Sequence, residues 1–284
     1  MSQRPDPGTW NAVAERYTSE FAPYELDLAR DVDGIVRGLG IDGSRPIAEL
    51  GCGSGHLSAL LARGGLKSVL MDFSDVSLDK AREVFAREKL EAEFRRQDIF
   101  ALDGSTCYAL TWNSGVMEHF DDPSLRDALC AINRATEGWF VCIVPNPASV
   151  PYLLYRYAIN GKGEWAVGDE YLRTNYPIFF GLAGFEVVET RYIGWEYTKH
   201  FFRAYSGRTD RGGMFDRLAD ERLLPETSAY LVAYVCRKVR EAPAEPPPLP
   251  EGLVDTVDHT RRFDQVTRHI PRVKRRFPWL WDPR

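Results

Sequence analysis

A run of glycines preceded by an acid is the part of this chain best suited to bind a small ligand. Gly51, Gly53 and Gly55 alternate directly after a short apolar segment, and Glu49 stands two residues before the first of them. Glycines let the backbone turn sharply and approach a ligand closely at the start of a helix. The spacing is neither that of pyrophosphate-binding loops nor that of a P-loop, although a tight turn or another nucleotide site would also use glycines. A carboxylate at position 49 suits a ligand that carries an ammonium and a sulfonium.

Two further acids end the next two predicted strands. Asp72 follows Gly51 by 21 residues and ends one strand, and Asp98 ends the other. An acid at the end of the neighbouring strand is placed to accept hydrogen bonds from two ribose hydroxyls. Asp98 could accept a hydrogen bond from an adenine amino group, with Ile99 against the ring. Each acid taken alone would also fit a helix cap or a solvated loop, so the prediction depends on their occurring together.

These motifs follow one another in the order and at the spacing of a known enzyme family. The segments 49–55 and 112–119, together with Asp72, Gln97 and Asp98, resemble the successive motifs of class I S-adenosylmethionine-dependent methyltransferases. The resemblance covers roughly residues 10–238. It implies S-adenosyl-L-methionine as the cofactor and S-adenosyl-L-homocysteine as the product, and it leaves the methyl acceptor open. Where relatives often have an acid near the start of the fourth strand, this chain has Ala109, at a position that does not bind the cofactor in most of them.

The resemblance also implies which residues bind the cofactor. The glycines would line its methionine part, Glu49 would orient the ammonium through the loop, and Asp72 would hold the ribose. Tyr17, on the first helix, would face the sulfonium or the carboxylate, although plain packing of that helix is the alternative. The full predicted set is Tyr17, Glu49, Gly51, Cys52, Gly53, Gly55, Asp72, Phe73, Asp98, Ile99, Asn113 and Ser114.

His119 is the residue that we predict to be catalytic. Methyl transfer is an in-line displacement that requires alignment, exclusion of water and, for a protonated acceptor, removal of a proton. The reference pKa of histidine suits that step near neutral pH. The alternative is that Glu118-His119 only shapes the cofactor pocket. His200 is a weaker rival, and we expect His56 only to pack or to cap a helix. No metal ion is expected.

Strands and helices alternate through most of the chain, which predicts parallel β-α-β units with helices on both faces of one sheet. We therefore predict a doubly wound, Rossmann-like α/β fold with seven strands, the last of them antiparallel, and helical insertions over the carboxyl edge. The predicted strands are 46–50, 68–72, 92–97, 108–113, 139–144, 185–192 and 228–238. The predicted helices are 10–39, interrupted at Pro23, and 56–63, 76–89, 124–136 and 170–183.

The chain divides into a main domain and a C-terminal extension. We predict a methyltransferase domain at 1–240 with aromatic insertions near 148–168 and 194–226, a proline-rich linker at 241–250 and a basic tail at 251–284. The aromatic side chains of the insertions would either contact an acceptor with an apolar or aromatic face or form a small core of their own. The basic tail fits a solvated helix face, although contact with an anionic acceptor, a partner subunit or a membrane surface is also open.

Composition excludes several other classes of function. A formal net charge of −5 argues against nucleic acid as a partner. The polar N-terminus argues against a secretory leader, and no run of residues approaches the about 20 apolar residues of a membrane helix. The five dispersed cysteines fit reduced thiols in a cytoplasmic protein. A homodimer stays open.

We therefore predict an enzyme that methylates an oxygen or nitrogen of a small molecule, such as a natural-product intermediate or a saccharide. The alternatives are a C-methyltransferase, a protein or lipid methyltransferase on the same fold, or a catalytically silent scaffold that binds the cofactor. The complete set of Glu49, glycine loop, Asp72 and Asp98 argues against the silent scaffold.

Overall fold

The computed structural model describes residues 7–18, 20–160, 170–207, 213–251 and 253. Within these ranges the strands are β1 Ile47–Leu50, β2 Ser68–Asp72, β3 Glu93–Arg96, β4 Tyr108–Ser114, β5 Thr136–Pro145, β6 Phe185–Ile193 and β7 Leu231–Lys238. The helices are α1 Pro7–Ala14, α2 Pro23–Gly38, α3 His56–Arg63, α4 Asp75–Glu88, α5 Asp122–Ala135, α6 Val150–Asn160, α7 Tyr176–Ala183, α8 Trp195–Ser206 and α9 Met214–Asp220.

The strands form one sheet in the order β3-β2-β1-β4-β5-β7-β6. The first five strands are parallel to one another, and β7 runs antiparallel between β5 and β6. This is the predicted seven-stranded α/β sheet, and that prediction is confirmed. The register sets Glu49 of β1 beside Leu70 of β2 and Trp112 of β4. The carboxyl ends of β1, β2 and β4 therefore meet at one edge, where open α/β sheets bind their ligands.

Apolar side chains cover both faces of the sheet. On one face, Leu129 of α5 and Phe179 of α7 belong to a cluster of buried residues that includes Phe140 of β5. On the other face, Val32 of α2 packs in a cluster with the fully buried Trp112 of β4. The two layers of helices hold the central strands rigidly, so the strand ends provide a fixed frame for a binding site.

Two predicted helices differ from those observed. Pro23 begins α2 instead of only interrupting a longer helix, as suits a residue whose fixed φ and missing N–H are tolerated at the first position. The helix predicted from residue 170 begins at Tyr176. The described residues before it, 170–175, form no helix. Among them, Glu170 forms an ion pair with Arg156, and Arg173 forms one with Asp122. These ion pairs fix the backbone in a way that apolar spacing does not reveal.

The two insertions contribute helices α6, α8 and α9. Helix α6 packs against α8, and α8 packs against α2. Trp165, one of the aromatic residues of the first insertion, lies outside the described residues, as do residues 208–212 of the second. In the parts of the chain that the structure describes, no helix is both long and apolar enough to span a bilayer.

The proline-rich segment after β7 is attached to the domain. Ala242, Leu249 and Leu253 pack against the larger core cluster, and Arg126 Nη1 of α5 donates a hydrogen bond to the carbonyl oxygen of Pro247 at 3.1 Å. The segment is therefore a strap across α5, whereas we expected a stiff spacer. The predicted domain boundary near residue 240 stays a prediction, and the basic tail from residue 254 lies outside the described residues.

Candidate functional site

A cavity of about 530 Å³ opens at the carboxyl edge of the sheet. It gathers residues from the loops after β1, β2, β3 and β4 and from helices α1, α2 and α8. Of the residues predicted to bind the cofactor or to be catalytic, all but Gly55 and Asn113 line it. Those that line it are Tyr17, Glu49, Gly51, Cys52, Gly53, Asp72, Phe73, Asp98, Ile99, Ser114 and His119.

The glycine loop forms one wall of the cavity. Gly51 and Gly53 have φ angles of 72° and 51°, which side-chain-bearing residues rarely adopt. A Cβ at Gly51 would lie 2.8 Å from Val116 Cγ2, and one at Gly53 would lie 3.2 Å from Tyr17 Oη. The bare backbone therefore leaves room for the neighbouring side chains and keeps the surface of the loop open to a ligand.

Asp72 joins this loop to the end of β2. Its Oδ2 accepts a hydrogen bond from the Gly53 N–H at 3.0 Å, and its Oδ1 accepts one from the Ser74 N–H at 2.9 Å. Burial raises the pKa of Asp72, while the backbone N–H donors lower it. The carboxylate is thus held in one orientation at the wall of the cavity, next to the loop.

Glu49 is buried at the end of β1 with an exposed fraction of 4%. Its Oε2 makes no hydrogen bond within the described part of the chain. Burial raises its pKa from 4.5 to about 8, and the negative charge of Asp72 adds to this effect. A buried carboxyl group without a complete set of partners is costly, and an ammonium group in the cavity would supply both a donor and a charge.

The lining that follows β3 is more apolar. Ile99 and Phe100 belong to a single turn of 3₁₀-helix that Asp98 caps, because Asp98 Oδ1 accepts a hydrogen bond from the Phe100 N–H at 3.0 Å. The ring of Phe100 lies 5.2 Å from that of Phe120, centroid to centroid. Asp98 is itself exposed, and the adjoining rings and aliphatic side chain provide an apolar surface for a planar ligand group.

Gly55 and Asn113 serve the fold around the cavity. Gly55 has a φ of 69°, and a Cβ there would lie 2.8 Å from Leu70 Cδ2 and 2.9 Å from Ala81 Cβ. The residue therefore permits α3 to begin close to β2 and α4. The Asn113 side chain is fully buried, and its Oδ1 accepts a long hydrogen bond from Cys142 Sγ at 3.7 Å.

His119 lies at the wall of the cavity between α1 and the turn after β4. The edge of its ring meets Trp10 of α1 at a centroid distance of 4.7 Å. Its Nε2 lies 3.8 Å from Glu118 Oε1. Burial raises the pKa of Glu118 well above its ordinary value, and the charge of Glu170 adds to the effect, so the protonated form of Glu118 is favoured.

Glu118, His119 and Glu170 could in principle share a metal ion, since one ligand atom from each lies within 4.8 Å of the others. Glu170, however, already has protein partners. Arg156 Nη1 lies 2.9 Å from Glu170 Oε2, and the Tyr152 hydroxyl donates a hydrogen bond to the same oxygen. The negative charge of Glu170 is therefore balanced by the protein itself.

The aromatic insertions mostly form a core of their own. Tyr152 and Phe201 pack together with partly buried Tyr155 and Tyr230. Tyr197 of α8 is the one aromatic residue of the described insertion segments that also lines the cavity. His200 is exposed and does not line it.

Sequence reasoning did not predict several residues of the cavity. They are Trp10, Glu25, Leu28, Ser54, His56, Leu57, Ser77, Gln97, Phe100, Gly115, Val116 and Phe120. Those from α2 reach the site only through tertiary packing, which no local motif indicates. His56 is the exception, because a histidine directly after the glycine loop is visible in the sequence, and we had expected it only to pack or to cap.

Known proteins resemble parts of this chain. Residues 47–137 match the family model described as a methyltransferase domain. A ubiquinone biosynthesis O-methyltransferase from Aromatoleum aromaticum is 30% identical over 140 residues, which are 46% of this chain and 59% of that protein. A protein of the same name from Nitrosomonas europaea is 29% identical over 150 residues, which are 50% of this chain and 60% of that protein. The match thus spans about three fifths of the length of these relatives.

Solved structures resemble the fold over most of the chain. The CcbJ methyltransferase from Streptomyces caelestis superposes with a TM-score of 0.54 at 17% identity, covering 83% of this chain and all of that one (100%). The magnesium protoporphyrin IX methyltransferase from Synechocystis was solved with bound S-adenosylhomocysteine. It superposes with a TM-score of 0.52 at 15% identity, and the alignment covers 81% of this chain and 93% of that one. At such identities the likeness concerns the fold alone.

Proposed function

We propose that this chain, which carries a class I S-adenosylmethionine-dependent methyltransferase domain, transfers a methyl group from S-adenosylmethionine to an oxygen of a small molecule. The observation that carries the proposal is the single cavity that unites Glu49, the glycine loop, Asp72 and Asp98. The sequence had placed these residues at the ends of separate strands, and one shared cavity is what a nucleoside amino acid requires. S-adenosylhomocysteine would be the product.

The residues of the cavity fit the parts of that cofactor. Glu49 Oε2 makes no hydrogen bond among the described residues and would accept one from the ammonium group. Asp72 stands at the wall of the cavity, where it would accept from the ribose hydroxyls. Ile99 and Phe100 would contact the adenine ring, and Asp98 would accept from its amino group. Tyr17 would face the methionine part beside Gly53.

The cofactor supplies a methyl carbon that the adjacent sulfonium activates. The protein must then align the acceptor oxygen with that carbon, exclude water and remove the proton of the acceptor. The relatives named O-methyltransferases favour oxygen over nitrogen as the atom methylated. Leu28, Leu57 and Tyr197 line the cavity with apolar surface, which supports an acceptor with an apolar or aromatic face.

The remaining predictions are part of the same proposal. His119 lines the cavity and so stays a candidate for the proton acceptor. The free cysteines of the described residues support a reducing, cytoplasmic location. The absence of a nucleic-acid partner is proposed from the sequence alone, and a homodimer stays open.

Calorimetric titration with S-adenosylhomocysteine tests cofactor binding, and transfer of a labelled methyl group from S-adenosylmethionine to a panel of hydroxylated acceptors tests the reaction. We expect one binding site per chain and label recovered on oxygen. Absence of binding would contradict the cofactor assignment. Binding without transfer to any acceptor would favour the silent scaffold.

A further inference from the structure

A second polar group lines the cavity besides the residues of the cofactor motifs. His56, the first residue of α3, and Glu25 of α2 both line it, and His56 Nδ1 lies 2.8 Å from Glu25 Oε1. Both side chains are largely withdrawn from solvent, with exposed fractions of 6% and 19%. Neither residue belongs to the motifs that resemble the methyltransferase family, so the cofactor assignment leaves this pair without a role.

The geometry of the pair fixes the imidazole ring. Glu25 Oε2 accepts a hydrogen bond from the Ala22 N–H at 2.6 Å, which holds the carboxyl group at the start of α2. The edge of the Phe21 ring packs against His56 at a centroid distance of 5.0 Å. A carboxylate only accepts hydrogen bonds, so this contact selects the tautomer with the proton on Nδ1, in which Nε2 carries the lone pair of the ring.

His56 Nε2 is the ring atom that this arrangement leaves without a hydrogen bond among the described residues. It is also buried. A buried polar atom without a partner is unfavourable unless a ligand or water completes it. Because His56 lines the cavity, an acceptor hydroxyl bound there could donate its hydrogen bond to Nε2.

The surroundings of the pair are suited to the acceptor. The same cavity is lined by Leu28 of α2, Leu57 of α3 and Tyr197 of α8. The ring of Tyr197 packs against the ring of Tyr24 at a centroid distance of 4.2 Å. We call these three lining residues, with His56 and Glu25, the α2–α3–α8 subsite. It combines apolar walls with one directed hydrogen-bond acceptor, which would orient a hydroxyl group carried on an apolar body.

His119 is the other histidine that lines the cavity, and its neighbour Glu118 is the carboxyl group beside it. Its Nε2 is 3.8 Å from Glu118 Oε1, beyond hydrogen-bond distance, and burial favours the protonated form of that carboxyl group. Its ring edge is in contact with Trp10. Proton transfer is favoured when a carboxylate orients the base, and Glu25 is placed to orient His56 in this way.

We propose that His56, oriented by Glu25, is the base that takes the proton from the acceptor hydroxyl in the α2–α3–α8 subsite. The acceptor O–H bond would break with its proton going to Nε2, the oxygen would bond to the methyl carbon, and the electron pair of the C–S bond would stay on sulfur. The imidazolium formed would be balanced by the Glu25 carboxylate and would later lose its proton to solvent. This inference rests on the proposed function.

The test uses 4-nitrocatechol, a phenol whose absorbance changes when it ionises, with the full chain and S-adenosylhomocysteine. At a pH at which the free probe is neutral, we expect the wild-type protein to bind it with the absorbance of the ionised form. The variant His56→Gln should bind the neutral form of the probe or not bind the probe at all. The variant Glu25→Gln should reduce the absorbance that comes from the ionised probe. The exposed His200→Gln is the matched control and should behave as wild type.

Turnover is measured on the same proteins with labelled S-adenosylmethionine and 4-nitrocatechol. Loss of a general base lowers the rate by roughly 10²–10⁴-fold, so His56→Gln should fall in that range while its affinity for S-adenosylhomocysteine changes less than about twofold.

Three outcomes would overturn the inference. The first is a probe that His56→Gln and wild type ionise to the same extent. The second is a wild-type protein that does not bind the probe. The third is a His56→Gln variant whose main defect is a tenfold or larger loss of S-adenosylhomocysteine affinity. The last would show that His56 holds the cofactor. Failure of the wild-type protein to bind S-adenosylhomocysteine would instead refute the proposed function itself.

Discussion

Replacing Glu49 by Gln should stabilise the cofactor-free protein and weaken cofactor binding at the same time. Burial raises the pKa of Glu49 from 4.5 to about 8, so the folded chain binds this proton more tightly than the unfolded chain does. The stability that protonation contributes is fully present below pH 4.5 and is lost as the pH rises through about 8. Gln has a similar shape and no charge, so the variant does not suffer this loss.

The magnitude follows from linkage. A shift from 4.5 to about 8 implies a loss of wild-type stability on the order of 5 kcal/mol well above pH 8 and about 3 kcal/mol at pH 7. The stability difference between Glu49→Gln and wild type should therefore be close to zero near pH 4.5 and should increase with pH. New contacts of the amide group would shift the whole curve without changing this slope.

Urea unfolding of both proteins between pH 5 and 9, without cofactor, measures the difference. The control is Glu221→Gln, at an exposed position, which should give a curve parallel to wild type. A stability difference that does not change with pH would refute the assignment of a buried, largely protonated Glu49. Unfolding curves are compared at equal m-values, because a changed slope would indicate a different unfolded state.

Cofactor binding provides the second half of this prediction. If an ammonium group pairs with Glu49, the bound state favours its ionised form, and binding at pH 7 releases close to one proton from wild type. Calorimetry in two buffers of different ionisation enthalpy measures this release, and Glu49→Gln should lack that contribution and bind S-adenosylhomocysteine more weakly. Equal proton release from both proteins would show that another group titrates.

Other substitutions test separate parts of the site. Asp72→Ala should weaken S-adenosylhomocysteine binding by on the order of 1–3 kcal/mol in calorimetry, as expected for a lost charge-assisted hydrogen bond, and unchanged affinity in a folded variant would contradict the ribose role. His119→Ala should lower turnover at saturating cofactor, and full activity would leave His119 a structural role alone. Gly53→Ala should lower cofactor affinity, whereas Gly65→Ala, also at positive φ but with open space around its Cβ, should affect stability alone. Deletion of residues 254–284 should leave cofactor binding intact in the same titration, and a loss would show that the tail belongs to the core.

The cofactor side of the cavity could be predicted because its chemistry is local in sequence. Each strand of the parallel sheet ends beside its neighbour, so an acid or a glycine at a strand end has a predictable place. Glu49 and Asp72 line one cavity for this reason. Gly55 and Asn113 belong to the same segments but do not line the cavity. A contact of either residue with the cofactor, which for Asn113 would be through its backbone carbonyl, stays a prediction.

Most of the part of the cavity that we assign to the acceptor could not be predicted, because it depends on how separate helices pack. Glu25 and His56 are 31 residues apart, and only the contact of α2 with α3 brings them within hydrogen-bond distance. Tyr197 joins them from α8. Apolar spacing predicted that α2 is a helix, but it does not indicate which of its polar residues faces a cavity.

The position of β7 has a consequence for how the chain is completed during synthesis. Among the described residues, β6 pairs with β7 alone, and β7 is the last strand in sequence. On the ribosome, β6 therefore emerges before any strand with which it can form its hydrogen bonds. Until residues 231–238 have left the exit tunnel, the nascent domain exposes the edges of both β5 and β6, where premature association with other chains is most favourable.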